Sequence, residues 1–378
     1  MTKTNDYSRT KLACYLGFVT QAIVANFTPL LFMVFHREYE ISIGSLALIP
    51  AVFYVVQLLV DFLCAKFKNI DYRKSIIVSE VTSALGLAGM AFLPALFPDP
   101  LVGILICVTI YAIGSGLIEV LCSPIIEACP FPDKEGMMSL LHSFYCWGVV
   151  GVVLGSTLFF ALFGIENWRI LTCLWALIPI YNIINFSTCP IEPIVEDSEG
   201  MSMSQLFKLH MFWPFLILMV ATGASEASMA QWASAFAEAS LGVDKAIGDL
   251  AGPCGFAFCM GLGRMWYGKK GQNLDLSTYM TWAGILCFAS YLLASLSPIP
   301  LISFIGCMLS GLAVAIMWPG SISLTSASLP QGGTVGPSIV GLCTGSAENN
   351  IQSGLLAASV FPVLLVICLL CIRRRKLN

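Results

Sequence analysis

Ser115-Gly-Leu-Ile-Glu-Val-Leu-Cys-Ser-Pro124 returns later in the chain as Ser310-Gly-Leu-Ala-Val-Ala-Ile-Met-Trp-Pro319. Ser, Gly, Leu and Pro match in register, and both copies lie inside long apolar segments. Glu119 in the first copy stands where the second has Val314. A duplicated apolar chain with an acid in one half, at mid-membrane depth, points to a transporter built from two related helical bundles.

Working outward from that pair, apolar stretches recur along the whole chain. With 57% hydrophobic residues, 11% charged residues and a mean hydropathy of +0.84, the sequence is too apolar for a soluble core. Soluble domains carry about 25% charged residues. Spans of 18 or more apolar residues, each enough for a bilayer core of about 30 Å, are expected near 12–35, 44–65, 75–97, 101–128, 137–163 and 168–187. In the second half they are expected near 207–237, 246–267, 277–296, 299–328 and 354–372, with a weaker one near 333–347. The chain is an all-α polytopic membrane protein.

Positive residues set the expected orientation. With the N-terminus inside, sixteen of the nineteen Lys and Arg fall on the cytoplasmic side, and Arg37, Arg169 and Lys245 fall outside. This asymmetry predicts that both termini are cytoplasmic and that the number of crossings is even. The polar start Met1–Lys11 lacks a cleavage site, so the first span is expected to be retained. Fifteen cysteines are scattered through apolar segments, and Cys368-Leu-Leu-Cys371 in the last span suits packing better than redox or metal chemistry. No Walker loop, nucleophile elbow, zinc spacing or dinucleotide fingerprint is present, which argues against an ATP-driven pump and against an enzyme. No cofactor and no nucleic-acid partner are expected, and the chain is expected to act as a monomer.

Ser187–Gln205, with Pro190, Pro193 and four acids, reads as an acidic cytoplasmic linker. The expected organisation is an N-terminal six-helix bundle over 1–187, a linker over 188–205 and a C-terminal six-helix bundle over 206–378. The repeat also serves as a ruler. Pro124 and Pro319 are offset by 195, whereas Pro179 and Pro362, in the last helix of each half, are offset by 183. The second half is therefore shorter between its fourth and sixth spans. Pro330-Gln-Gly-Gly-Thr-Val-Gly-Pro337 falls there, so the eleventh span is expected to be short and partly unwound or re-entrant.

A charge at the bilayer centre costs at least about 2.5 kcal/mol on insertion scales, so Glu119 needs a reason. Ser115, Glu119, Ser123 and Glu127 recur every four residues along one face of a helix. Glu119 is either a proton-handling carboxylate in a polar pathway or a structural acid bonded to a neighbouring helix. Glu127, near the cytoplasmic end, suits a gate or a structural role. On the next span, His142 and Tyr145 share a face and could touch solute, while Trp147 points elsewhere; a packed histidine is the other option. In Thr222-Gly-Ala-Ser-Glu-Ala-Ser-Met-Ala-Gln-Trp-Ala-Ser234, the candidates are Glu226, Gln231 and Trp232. Gln21 and Asn26 of the first span are weaker ones. Asp61–Lys74, which includes Arg73, and Gly261–Lys270, which includes Arg264, read as matching basic cytoplasmic turns, for anchoring or for gating.

Gly116–Pro124 followed by Met138-Ser-Leu-Leu-His-Ser-Phe-Tyr-Cys-Trp-Gly148 resembles the fourth and fifth helices of fucose-permease-like members of the major facilitator superfamily. Trp232 and Gly261-Leu-Gly-Arg264 resemble that group's second half. The resemblance implies two six-helix bundles with pseudo-two-fold symmetry, nominally twelve transmembrane helices, and alternating access around a central site. It also implies proton-coupled symport of a sugar or related small polar solute across a cytoplasmic (cell inner) membrane. Glu119 takes the place of the group's proton-handling glutamate, His142 that of a substrate-binding glutamine, and Tyr145 that of an asparagine. Ser123 stands where the group has an asparagine before the proline, and Asn26-Phe-Thr-Pro29 lacks its first-helix acid. A facilitator or exporter of the same fold, or a non-transporting receptor derived from it, remains an alternative.

Overall fold

The structure is a computed structural model that describes residues 7–66, 70–131, 134–192, 208–210, 212–270, 274–328 and 351–377. The expected eleventh span near 333–347 and most of the expected linker lie outside the described residues. Among the described residues, ten helical stretches are long and apolar enough to cross a membrane. Tyr72–Met90 adds a nineteen-residue helix, about 28 Å long at 1.5 Å per residue.

The chain divides into two compact units. One comprises Met1–Val34 and Val52–Glu196, the other Phe35–Ala51 and Asp197–Asn378. The first unit contains α1 (Ser8–Leu30), most of α4 (Leu48–Lys66), α5 (Tyr72–Met90), α6 (Pro100–Ala128), α7 (Lys134–Phe163) and α8 (Trp168–Thr188); the short α2 (Phe32–Glu38) and α3 (Ile43–Leu46) lie between α1 and α4. Its centre is α1, which packs on α6, α7 and α8 and is buried over most of its length. A helix apolar on all sides belongs inside such a bundle, and α1 adds small or hydroxyl residues such as Ala13, Gly17 and Thr20 where its neighbours come close. Asp71 and Asp99 start α5 and α6 by accepting the N–H groups of Lys74 and Leu101, each at 3.0 Å.

The second unit contains α9 (Phe212–Ala239), α10 (Lys245–Asp249), a π-helical turn (Leu250–Cys254), α11 (Gly255–Lys270), α12 (Leu276–Leu296), α13 (Pro300–Val314), α14 (Met317–Ser328), α15 (Ile351–Ala358) and α16 (Val360–Leu377). Here α9 takes the central place and packs against α13, α14, α15 and α16. The π turn holds Pro253, whose missing N–H removes one rung of the helical ladder.

In both copies the repeat's glycine sits where a second helix comes close. A Cβ on Gly116 of α6 would lie 3.0 Å from Val60 of α4, and a Cβ on Gly311 of α13 would lie 2.2 Å from the Phe256 carbonyl of α11. In each unit the repeat's glycine lets the fourth long segment press on the second. The proline behaves differently in the two copies. Pro124 sits within the continuous α6, whereas α13 stops at Val314 and α14 restarts at Met317, two residues before Pro319.

Candidate functional site

In the first unit, Glu119 is half-buried on α6 and its carboxylate gathers amides from two other helices. Gln21 Nε2 of α1 donates to Glu119 Oε2 at 3.3 Å, and Gln57 Nε2 of α4 donates to the same oxygen. Asp61 stands one turn beyond Gln57 on α4 and is only 6% exposed, with Oδ1 lacking a hydrogen-bond partner. Ser115, one turn before Glu119, is fully buried with its hydroxyl also unpartnered. The stripe expected from the sequence runs from this buried end to an exposed one: Ser123 is half-buried and Glu127 is exposed.

The other first-unit candidates meet on α1 and α7. Asn26 Nδ2 donates to Tyr145 OH at 3.3 Å and to its own helix at Ala22 O, 3.0 Å. His142 packs edge-on against Phe18, with ring centroids 5.2 Å apart, and Tyr15 stacks on Phe144 at 4.1 Å. Gln21, Asn26, Glu119 and Tyr145 are thus tied across three helices, and His142 lies one turn from Tyr145. Arg73, expected at a cytoplasmic turn, closes the end of α8: Nη1 donates to Phe186 O at 2.7 Å and Nη2 to Cys189 O at 2.9 Å. A cation on the last carbonyls of a helix satisfies acceptors that have no partner within it.

This unit holds a further buried acid that the sequence did not single out. Glu80 of α5 is fully buried, accepting from Thr20 Oγ1 at 3.0 Å and from Asn182 Nδ2 at 2.7 Å. Asn182 also donates to Ala13 O at 2.9 Å, so the acid braces α5 against α1 and α8. Gln57 was missed too. The available signal was the spacing of Gln57 and Asp61, four apart in an otherwise apolar span.

In the second unit, Glu226 of α9 faces Arg264 of α11, with Oε2 and Nη2 3.8 Å apart. Gln231 and Trp232 are buried to within 4% and 5% exposure. Thr222 and Ser321 hydroxyls lie 3.2 Å apart, joining α9 to α14, and Tyr291 OH donates to Ser225 O at 2.6 Å. Toward the end of α9, Ser234 donates to Asp249, which also pairs with Lys245 at 3.0 Å, and Glu238 pairs with Arg37.

No curated protein matches the chain in sequence. Among solved structures, it aligns with the E. coli fucose:proton symporter FucP at a TM-score of 0.66 and 16% identity, covering 97% of this chain and 98% of that one. It aligns with the E. coli xylose transporter XylE at a TM-score of 0.75 and 11% identity over 95% and 97% of the two chains. The nucleoside transporter NupG follows at 0.69 and 13%, over 96% and 99%. At these identities the structural likeness shows a shared fold alone. The family model of the Major Facilitator Superfamily matches residues 13–347, and the chain belongs to that superfamily as a multi-pass membrane protein.

Proposed function

We propose that this transporter moves a small polar, sugar-like solute by alternating access, in symport with a proton that Glu119 takes and releases. The observation that carries the proposal is the setting of Glu119. It is a carboxylate inside a helix long and apolar enough to span a membrane, half-buried and held by the side-chain amides of Gln21 and Gln57. Both amides donate to Oε2, so a proton taken at Oε1 would leave those two hydrogen bonds in place. A charged carboxylate in apolar surroundings is costly, which makes a bound proton a natural companion of the solute.

In the first unit, His142, Tyr145, Asn26 and Ser123 are proposed solute-binding residues; in the second unit, taken by itself, Glu226, Gln231 and Trp232 are. Amides, hydroxyls, an imidazole and an indole match the hydrogen bonds and apolar faces of a sugar ring. Both termini are proposed to be cytoplasmic, on the charge asymmetry of the sequence, and the chain is proposed to work as a monomer without a chemical step. The likeness to the fucose:proton symporter FucP, the xylose transporter XylE and the nucleoside transporter NupG supports this class of solute.

The test is reconstitution into proteoliposomes after a thermal-shift screen of sugars, nucleosides and small acids has identified a ligand. With one proton per solute, an inward gradient of one pH unit should sustain about tenfold accumulation. Solute equilibration without accumulation, at any pH gradient, would show a facilitator instead.

A further inference from the structure

We propose that Asp61 is the second half of the proton site, so that Asp61 and Glu119 hold one proton between them. This rests on the proton-coupled function proposed above and adds to it a residue on a different helix. Gln57 and Asp61 lie four apart on α4 and so share a face. Gln57 donates to Glu119, which brings that face of α4 to the acid on α6. The contact is close because α6 carries Gly116 there, where a Cβ would meet Val60, the residue next to Asp61, at 3.0 Å.

The polar atoms around the pair are under-satisfied. Asp61 is 6% exposed with Oδ1 unpartnered, Ser115 is fully buried with Oγ unpartnered, and Gln57 Oε1 is buried without a donor. Two ionised carboxylates in such a place repel each other and lose their hydration. A single proton relieves both. Proton binding forms an O–H bond on one carboxylate oxygen, and that O–H donates to the other carboxylate. On release the O–H bond breaks, its electron pair stays on the oxygen and the proton passes to water.

The second unit supplies an internal comparison. Its matching crossing sets Gly311 on Phe256, and Val314 stands in the register of Glu119. Offsetting Asp61 by the same 195 residues lands on Phe256, so both acids are replaced by apolar residues together. The surrounding helices also carry Arg9, Lys11, Cys14 and Tyr15 on α1, Tyr54, Cys64 and Lys66 on α4, and Tyr72, Arg73, Lys74 and Glu80 on α5, with Cys107, Tyr111, Cys122 and Glu127 on α6 and Lys134, Glu135, His142, Tyr145 and Cys146 on α7. Glu80 is bonded to Thr20 and Asn182, Tyr111 to Thr28 and Tyr145 to Asn26. Of the two basic groups at the start of α5, Arg73 is committed to the carbonyls of Phe186 and Cys189 and Lys74 pairs with Asp71.

The experiment uses dicyclohexylcarbodiimide, which modifies protonated carboxyls in apolar surroundings, on the purified full chain without solute. Peptide mass spectrometry locates the adduct as pH is varied. The expected result is one adduct on the pair, at Asp61 or Glu119, counted apart from any on Glu80 or Asp249. In Asp61→Asn, labelling of Glu119 at neutral pH should fall severalfold and its pH profile should move by about one unit or more, the size that marks interacting sites. Glu119→Gln should do the same to Asp61, and Asp61→Glu should restore the wild-type profile. An unchanged Glu119 profile in Asp61→Asn, adducts on both carboxyls of one chain at neutral pH, or protection by sodium but not by choline would each overturn the proposal. If Asp61→Asn does not fold, the reciprocal Glu119→Gln and the Asp61→Glu profiles decide in the same way. No solute or gradient enters the assay, so a failure of symport in proteoliposomes leaves this result distinct.

Discussion

Arg264 reaches two acceptors at once: Nη2 lies 3.8 Å from Glu226 Oε2, and Nε donates to the Ala315 carbonyl at 3.1 Å. The second contact follows from the sequence. Pro319 has no N–H to offer the carbonyl four residues before it, which is Ala315, so that acceptor is left open just where α13 ends. Arg264 closes it while holding Glu226, and α9, α11 and the break before α14 are joined through one side chain.

Arg264→Ala is therefore expected to destabilise the protein by about 1–3 kcal/mol, the usual cost of leaving a buried acceptor unpaired. Arg264→Lys should recover only part, since an ammonium lacks the guanidinium's separate Nε and Nη donors. A double-mutant cycle with Glu226→Gln, read by thermal unfolding in detergent, should show non-additivity. Strict additivity would mean that the two side chains act independently.

The repeat's glycine sets a second expectation. Gly311→Ala should cost about 1–3 kcal/mol, the range for overpacking a close crossing, because its Cβ would collide with the Phe256 carbonyl. Gly151→Ala is the control, since nothing lies within 4 Å of a Cβ there. Equal melting temperatures for the two variants would contradict the close crossing.

Asn182→Ala should lower stability, because Glu80 loses its 2.7 Å donor while staying buried. An expected cost of about 1–3 kcal/mol should come with transport per folded molecule unchanged. A change in proton dependence would move Glu80 from a brace into the coupling machinery.

Asp71 gives a pH-dependent prediction outside the membrane. The Lys74 N–H, and then its side chain, hold the Asp71 carboxyl below the usual carboxylate range. A lowered folded value means that the contribution is complete above the ordinary Asp value of about 3.9 and disappears as pH falls through the folded value. Asp71→Asn keeps a capping oxygen without the charge. Wild type should melt higher than Asp71→Asn at neutral pH, and the gap should close in acid; a gap independent of pH would contradict the cap's charge.

The apolar spans and the position of Glu119 were readable because both are local properties: hydropathy over a window, and an acid at a matched repeat position. Gln57 was not, since an amide is tolerated in an apolar run and only the α4–α6 crossing brings it to Glu119. Asp61 read as the edge of a basic turn because charged residues follow it closely, yet the helix continues to Lys66 and buries it. Arg264 read as part of an anchoring or gating turn for a similar reason. Its partner carbonyl is created by Pro319, fifty-five residues away, and only the packing of α11 against α13 connects them. Ser79, Glu80, Thr82 and Ser83 make α5 polar enough to fall short of a span by composition, and their value lies in contacts with α1, α6 and α8.

The central claim is that Glu119 couples a proton to the solute. The direct measurement compares Glu119→Gln with wild type in proteoliposomes, by solute counterflow without a gradient and by uptake driven by an inward proton gradient. Glutamine keeps the shape and hydrogen bonding of a protonated carboxyl, so counterflow should persist while gradient-driven accumulation is lost. Accumulation that survives in Glu119→Gln, with the same dependence on the gradient as in wild type, would contradict the account.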